Sequence, residues 1–258
     1  PTLDYFLSSA DMEPPGAEAA YSERLVRLPG LSTPARTPPA VTAAARGPLG
    51  LRDGACVFWC AQSPYKYLPR HDAVFARIAE AAGDCQFAFS AFPGSDELTL
   101  RLRDRLARAF AERGLDAGRF CVILPRLAPD AFASAMAASD VVLDSLGWSG
   151  CNSLLEALAC GLPAITLEGG SLRARHGAAL LRAAGSAAFV CTTVDDYVAL
   201  AVRLARDPRA RRRNAERPRR LAAWLSSEAS TRALEDMLTD AVRRHTPAGA
   251  APSRSSPR

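Results

Sequence analysis

DVVLDSLGWSGCNSLLEALACGLPAITL, residues 140–167, decides the fold. An apolar strand pattern, VVLD, runs through the Gly-rich loop SLGWSGCNS into a helical LLEALACG and returns as a second strand, PAITL. Strand, loop, helix, glycine and strand in this order let a parallel sheet present a helix N-terminus to a phosphate. The first N–H groups of a helix lack internal partners and carry partial positive charge. Gly147 and Gly150 allow close backbone approach, and Asn152 and Ser153 add hydrogen-bonding side chains. Glu156 lies one turn in, where a carboxylate is placed to hold a ribose diol. Two readings without a ligand compete: Ser153-x-x-Glu156 also fits a capping box, and Gly161 fits a helix stop.

Outward from this unit the same rhythm continues in both directions. Upstream, strands are expected at Ala55–Cys60, Gln86–Phe92 and Phe120–Leu124, and helices at His71–Ala82, Asp96–Arg113 and Pro129–Ala138. Leu98, Leu102, Leu106 and Phe110 recur every fourth residue and mark the buried face of the second of these helices. Downstream come a helix at Ala174–Ala184, a strand at Ala187–Cys191, a helix at Val194–Arg206, an Arg-rich helix and a last helix near Ser227–Arg244. Such alternation implies an α/β fold with a doubly wound parallel sheet covered on both faces. Ligands of such sheets bind at the carboxyl ends of the strands. The stretch 31–50 is rich in Pro and Ala without periodicity and reads as a linker; TPAGAAPSRSSPR reads as a disordered tail.

Lys66 is the only lysine among 32 basic residues; the rest are arginines. Abundant alanine beside them points to a composition bias, and chance retention of one lysine is the plain alternative. A lysine kept against that bias is a compact, flexible ammonium, unlike a guanidinium fork. It follows a strand end, so it can share one crevice with the 145–153 loop and meet a diphosphate there.

Composition narrows the function. The 258 residues are 48% hydrophobic, enough for a core, yet contain no apolar run of about 18 residues to span a membrane. No secretory signal is visible, and a chain opening on Pro1 is expected to be part of a longer one. The net charge of +5 is concentrated between Arg203 and Arg220, where nine arginines face Asp207 and Glu216. That stretch has few aromatics, so a solvated helix face is expected and nucleic-acid binding is not. Seven cysteines without a CxxC pair fit buried, reduced thiols and a cytoplasmic setting. With three histidines no metal-ligand cluster is expected. Cys151 is either a thiol activated by the helix N-terminus or a small residue tolerated in the loop. His71 reads as structural; His176 and Arg175, after the Gly169–Gly170 loop, are candidates to face the crevice, with guanidinium the better match to phosphate.

Several stretches together resemble a known family: DYFLSS…MEPP…YSERLVRLP near the start, CAQSPYKYLPRHDAVFARIA, LPRLAPDAF, DSLGWSGCNSLLEALACGLPAITLEGGSLRARHGAALLRAAG, and DDYVALAVRLARDPRARR. Their order and spacing resemble the carboxyl-terminal half of O-linked N-acetylglucosamine (O-GlcNAc) transferases, above all the bacterial members, which are usually fused to tetratricopeptide repeats. The resemblance implies a two-lobed GT-B glycosyltransferase. Residues 1–30 would end the preceding catalytic lobe, 31–50 would link, 51–236 would form the Rossmann-like nucleotide-sugar-binding lobe, and 237–258 would be the terminal helix end and tail. It implies transfer of N-acetylglucosamine from UDP-GlcNAc to Ser or Thr hydroxyls of protein acceptors, by an inverting, metal-independent route.

Matched position by position, the resemblance places Lys66 on the UDP phosphates and makes it the catalytic candidate, with Gln62 or Ser63 as a neighbouring polar contact. The backbone at Leu127 and Ala128 would read uracil. Cys151, Asn152 and Ser153 would form the phosphate turn, and Glu156 would take the ribose. The turn departs from the His-Thr-Thr of animal enzymes and the Gly-Asn-Thr of many bacterial ones but keeps polar groups at two of three places. The lysine and histidine beside the animal uracil segment are absent; Asp130 and Phe132 stand nearby. No Asp-x-Asp metal motif occurs, and Lys66, the 151–153 turn and Arg175 offer fixed donors for a leaving diphosphate instead. The alternative is a non-catalytic nucleotide-binding or scaffold domain derived from the family. The 258 residues alone are expected to transfer no sugar, because half the cleft would lie upstream.

Overall fold

The computed structural model describes residues 3–32, 41–60, 62–212, 216–226 and 228–245. Two short parallel strands come first, β1 (Tyr5–Ser9) and β2 (Arg24–Leu28), paired from Tyr5↔Arg24 to Ser9↔Leu28. Then follow β3 (Cys56–Trp59), α1 (Asp72–Ala82), β4 (Cys85–Ser90), α2 (Asp96–Ala111), the single turn α3 (Ala117–Phe120) and β5 (Cys121–Leu124). The second half runs α4 (Pro129–Ala137), β6 (Val141–Leu143), α5 (Asn152–Ala159), β7 (Ala164–Leu167), α6 (His176–Ala183), β8 (Val190–Cys191), α7 (Val194–Arg206), α8 (Glu216–Leu225) and α9 (Ala229–His245).

The six strands from β3 onward form one all-parallel sheet in the order β5-β4-β3-β6-β7-β8. Counted from β3 this is the 3-2-1-4-5-6 order of a dinucleotide-type doubly wound fold. Both faces are covered, which is why strands such as CVFW are apolar throughout rather than alternating. Phe58 packs on one face with Phe75, Phe87, Phe89 and Phe110 and residues of α1, α2 and α7. Val57 and Trp59 pack on the other with α4, α5, α6 and Leu221 and Leu225 of α8. The chain leaves β3 toward β4 and leaves β6 toward β7, so the two central strands part at their carboxyl ends and open a crevice there.

Several boundaries differ from the sequence expectation, each for a local reason. Asp116 caps α3 through the Gly118 N–H, so Phe120 ends a helical turn instead of opening β5. At 187–189 a 3-10 turn closes on Ser186, and only Val190 and Cys191 pair with β7. The helix expected from Ala174 starts at His176, after a 3-10 turn over Leu172–Ala174. By contrast α7 spans Val194–Arg206 as expected, and beyond it the Asp207 carboxylate accepts from the Arg209 N–H where the chain turns. Leu98 is 38% exposed, at the open end of the α2 stripe whose Leu102, Leu106 and Phe110 are buried.

Of the stretch read as a linker, residues 33–40 lie outside the described residues. The remainder is fastened to the amino ends of the strands: Ala44 N–H donates to Ser134 O at 2.9 Å, and Arg46 donates to Ala55 O and Ala138 O at 3.0 Å each. The tail expected from Thr246 onward also lies outside the described residues. α9 returns toward β2, where Ser230 Oγ donates to Pro29 O at 2.5 Å. Among the described residues no helix is long and apolar enough to cross a membrane.

Candidate functional site

The carboxyl end of β3 continues into a tightly held loop. Tyr67 OH donates to Cys60 O and accepts the Gln62 N–H, while the Tyr67 ring packs edge-on to Phe75 and Phe89. Arg105 of α2 grips Asp72 through two nitrogens and donates to Tyr67 O, which fixes where the loop re-enters α1. Between these anchors the one-turn 3-10 helix Pro64–Lys66 carries Lys66 across the crevice. Its Nζ donates to Ser149 O at 3.1 Å and stands 5.8 Å from the Trp148 ring centre. Among the described residues no carboxylate forms an ion pair with Lys66.

The opposite wall is the loop after β6, built on a buried knot around Asp144. Asp144 is 1% exposed. Its Oδ1 accepts from Gln62 Nε2 and from the Gly150 N–H, both at 2.7 Å. Its Oδ2 accepts from Ser149 Oγ at 2.5 Å and Thr166 Oγ1 at 2.6 Å, and its main-chain O accepts from Tyr197 OH at 2.9 Å. Ser149 Oγ takes the Gly177 N–H of α6 at 2.6 Å, and Ser145 Oγ donates to Gln62 Oε1 at 2.6 Å. Two glycines are required by this crowding. A Cβ on Gly150 would stand 2.8 Å from Gln62 Nε2, and one on Gly177 would collide with the Asp144 carboxylate.

The loop delivers the N-terminus of α5. Cys151 is its N-cap, without a side-chain cap bond, and its carbonyl accepts from the Leu154 and Leu155 N–H groups. Ser153 is therefore the second residue of the helix, and the Ser153-x-x-Glu156 pattern is not a capping box here. The N–H groups of the first turn have no carbonyl one turn back within the helix.

The two walls enclose a cavity of about 450 Å³, a size suited to a small ligand. Gln62, Ser63, Lys66, Leu127, Cys151, Asn152 and Ser153, all singled out from the sequence, line it together, with Tyr65, Arg126 and Phe132. Ala128 is beside the lining as the extended N-cap of α4. Gln62 is buried with both amide ends engaged in the knot, whereas Ser63 is exposed. Glu156 is half-buried on α5 outside that lining, and burial pushes its carboxyl up from the ordinary value.

Arg175 is also outside the lining. Its guanidinium pairs with Glu168 at 2.6 Å, and Glu168 is held as well by two nitrogens of Arg182. His176, at the first turn of α6, is held below the usual imidazole value chiefly by burial. Burial likewise pushes the Cys151 thiol up, against the pull of Lys66.

Sequence reading passed over Asp144, Ser149, Thr166 and Trp148. Asp144 carried a signal: an acid closing the buried strand VVLD at the point where a crevice opens. Thr166 carried a weaker one, a hydroxyl inside the otherwise apolar PAITL. Trp148 stands at the rim, with the Tyr65 ring at 5.5 Å and the Arg173 guanidinium 5.4 Å from its centre.

The doubly wound sheet, with Lys66 and the N-terminus of α5 lining one crevice at its switch point, has the architecture of a GT-B glycosyltransferase lobe. Residues 18–228 match glycosyl transferase family 41, and the chain belongs to that family. Among curated relatives, a probable UDP-N-acetylglucosamine–peptide N-acetylglucosaminyltransferase SPINDLY of Petunia hybrida is 29% identical over 209 residues. The corresponding protein of Solanum lycopersicum is 28% identical over 208. Each alignment covers 80% of this chain and 22% of the relative, so the chain spans about a fifth of their length. Among solved structures, a mutant O-GlcNAc transferase of Thermobaculum terrenum aligns with a TM-score of 0.74 at 32% identity, over 94% of this chain and 45% of that one. Sucrose-phosphate synthase of Thermosynechococcus elongatus shares the fold at 13% identity, with a TM-score of 0.61, over 93% of this chain and 59% of that one.

Proposed function

We propose that this chain is the UDP-binding lobe of a protein O-GlcNAc transferase, which moves N-acetylglucosamine from UDP-GlcNAc to Ser or Thr hydroxyls. The observation that carries the reading is Lys66: an ammonium without a carboxylate partner among the described residues, fixed across the crevice from the first turn of α5. The names of the relatives supply the donor and the acceptor class.

In this reading the diphosphate lies between Lys66 and the 151–153 turn. The acceptor hydroxyl oxygen attacks the anomeric carbon with inversion, the bond to the β-phosphate oxygen breaks with its electron pair leaving on UDP, and the hydroxyl proton is released to solvent. Lys66 and the first-turn N–H groups meet that charge as it develops, which is where fixed donors lower a barrier. Ser63 is the direct polar contact of the Gln62/Ser63 pair, because the Gln62 amide is already engaged. Leu127 and Ala128 flank the base, and Glu156 takes the ribose. Arg175 serves by holding the 168–176 loop through Glu168.

The remaining half of the cleft belongs to an upstream catalytic lobe, with tetratricopeptide repeats beyond it. Support comes from Leu3 and, in β1, Phe6 and Leu7, which are exposed on or beside a two-stranded sheet too small to be stable alone. Seven free cysteines, raised in pKa by burial where a shift is resolved, suit a cytoplasmic setting. Calorimetric titration of the full-length protein with UDP and UMP, followed by a transfer assay with UDP-GlcNAc and protein acceptors, tests the reading. UDP is expected to bind more tightly than UMP and sugar transfer to follow. A folded protein that binds neither nucleotide sinks it.

A further inference from the structure

We propose that Asp144 is a positioning residue for the diphosphate, acting as the node that sets the two walls of the crevice in register. The inference rests on the nucleotide reading given above. Oδ1 joins the walls directly: it receives Gln62 Nε2 from the loop after β3 and the Gly150 N–H from the turn before α5, both at 2.7 Å. Oδ2 anchors the same turn to the sheet, through Ser149 Oγ on one side and Thr166 Oγ1 of β7 on the other. Ser149 is also the residue whose carbonyl receives Lys66, at 3.1 Å. One carboxylate thus governs the position of the Lys66 acceptor, of the loop that bears Lys66, and of the N-terminus of α5.

The chemistry of the partners supports a positioning role over an ion pair. All four side-chain contacts of Asp144 come from neutral donors. A carboxylate has two oxygens with about four lone-pair sites, enough to accept all of them. Its negative charge beside an anion site is unfavourable for the ligand, so what it contributes to binding is geometry. Asp144 lies beneath the turn at 1% exposure and is absent from the cavity lining, so it acts through the residues it holds.

Asp144→Ala, Asp144→Asn and Arg46→Ala are compared in the full-length protein by titration with UDP, UMP and uridine. Asp144→Ala frees Gly150 and Gln62 and is expected to weaken UDP about 10- to 100-fold, while uridine, which has no phosphate, changes little. Asp144→Asn keeps an oxygen for the Gln62 and Gly150 donors, and is expected to restore most of the UDP-to-uridine ratio. Arg46→Ala destabilises the far end of the sheet and is expected to leave that ratio unmoved. In turnover, donor KM rises in Asp144→Ala and acceptor KM does not.

Equal weakening of all three ligands in Asp144→Ala, or an unchanged UDP affinity, overturns the positioning role. If Asp144→Ala does not fold, Ser149→Ala cuts one tie between carboxylate and turn. It is expected to give the same selective loss at smaller size, and an unchanged ratio there overturns the role equally. Wild-type protein that binds no UDP overturns the nucleotide reading itself, an outcome distinct from a wild type that binds and an Asp144 variant that binds as well.

Discussion

β6 is bracketed by two aspartates four residues apart, and they are treated in opposite ways. Asp140, at the amino end, meets charge with charge: Arg46 Nη2 at 2.9 Å and Arg211 Nε at 3.9 Å, with the Val57 N–H at 2.8 Å. Arg46 also donates to Ala55 O and Ala138 O, so its guanidinium is spent inside the protein. Asp144, at the carboxyl end, is satisfied by neutral donors. The nearby cation, Lys66, donates to the Ser149 carbonyl and stands over the Trp148 ring, with no carboxylate paired to it among the described residues. One end of the strand is a brace that closes on itself. The other holds its anion with hydroxyls and amides, and among the described residues no carboxylate pairs with its ammonium. That cation and the Asn152 and Ser153 N–H groups at the start of α5 are what the proposed anion site rests on.

Mutations at the two ends should separate binding from stability. Lys66→Ala is expected to have the largest effect on function, a loss of about 10²–10³ in turnover of the full-length enzyme. UDP affinity falls with it, while uridine affinity and the denaturation midpoint stay in place. Initial rates and calorimetry check this, and a variant that turns over normally would break the contrast at its strongest point. Arg46→Ala is expected to cost about 2–3 kcal/mol of stability by urea unfolding, since it strips Asp140 of its close partner and two carbonyls of a donor. It leaves UDP binding unchanged. Arg175→Ala is expected to cost under about 1 kcal/mol, because Arg182 still holds Glu168 with two nitrogens. A large loss of UDP affinity in that variant would place Arg175 on the ligand instead of on Glu168.

The sheet and its crevice were legible because their determinants are local. Apolar strands, a glycine-punctuated loop and a helix start can be read along one stretch, and Lys66 stands out by residue type alone. What was not legible depends on contacts between distant segments. The Gln62 amide is taken up by Asp144, 82 positions away, and by Ser145, ties that no local pattern announces. The Arg175 guanidinium likewise meets Glu168, a partner its own stretch does not reveal. In the same way Ser153 looked like a cap, but the Asp144–Gly150 bond sets the helix start at Cys151. The boundaries at Phe120 and Ala187 shifted because an Asp116 cap and a turn closing on Ser186 outweighed the apolar pattern.

Glu156 offers the smallest effect and the most specific one, because its sign is opposite to that of the other changes. Desolvation raises its pKa above the ordinary 4.5. A carboxyl with a raised folded-state pKa binds its proton more tightly in the folded protein than in the unfolded chain. The stability it contributes is complete below the unfolded value and is lost as pH rises through the folded one. At neutral pH the ionised Glu156 therefore burdens the fold. Glu156→Gln is expected to unfold at higher urea than wild type at pH 8, and the gap should close as pH falls toward about 4. His71 and His176, both held below the usual imidazole value by burial, are present in both proteins and cancel in the difference. If Glu156 takes the ribose, the same variant binds uridine more weakly while the extra contribution of the diphosphate stays constant. Higher stability with weaker uridine binding would identify the desolvated carboxylate as one retained for a ligand. Higher stability with unchanged uridine binding would confine the proposed ligand-facing surface of α5 to its first turn, beside Lys66.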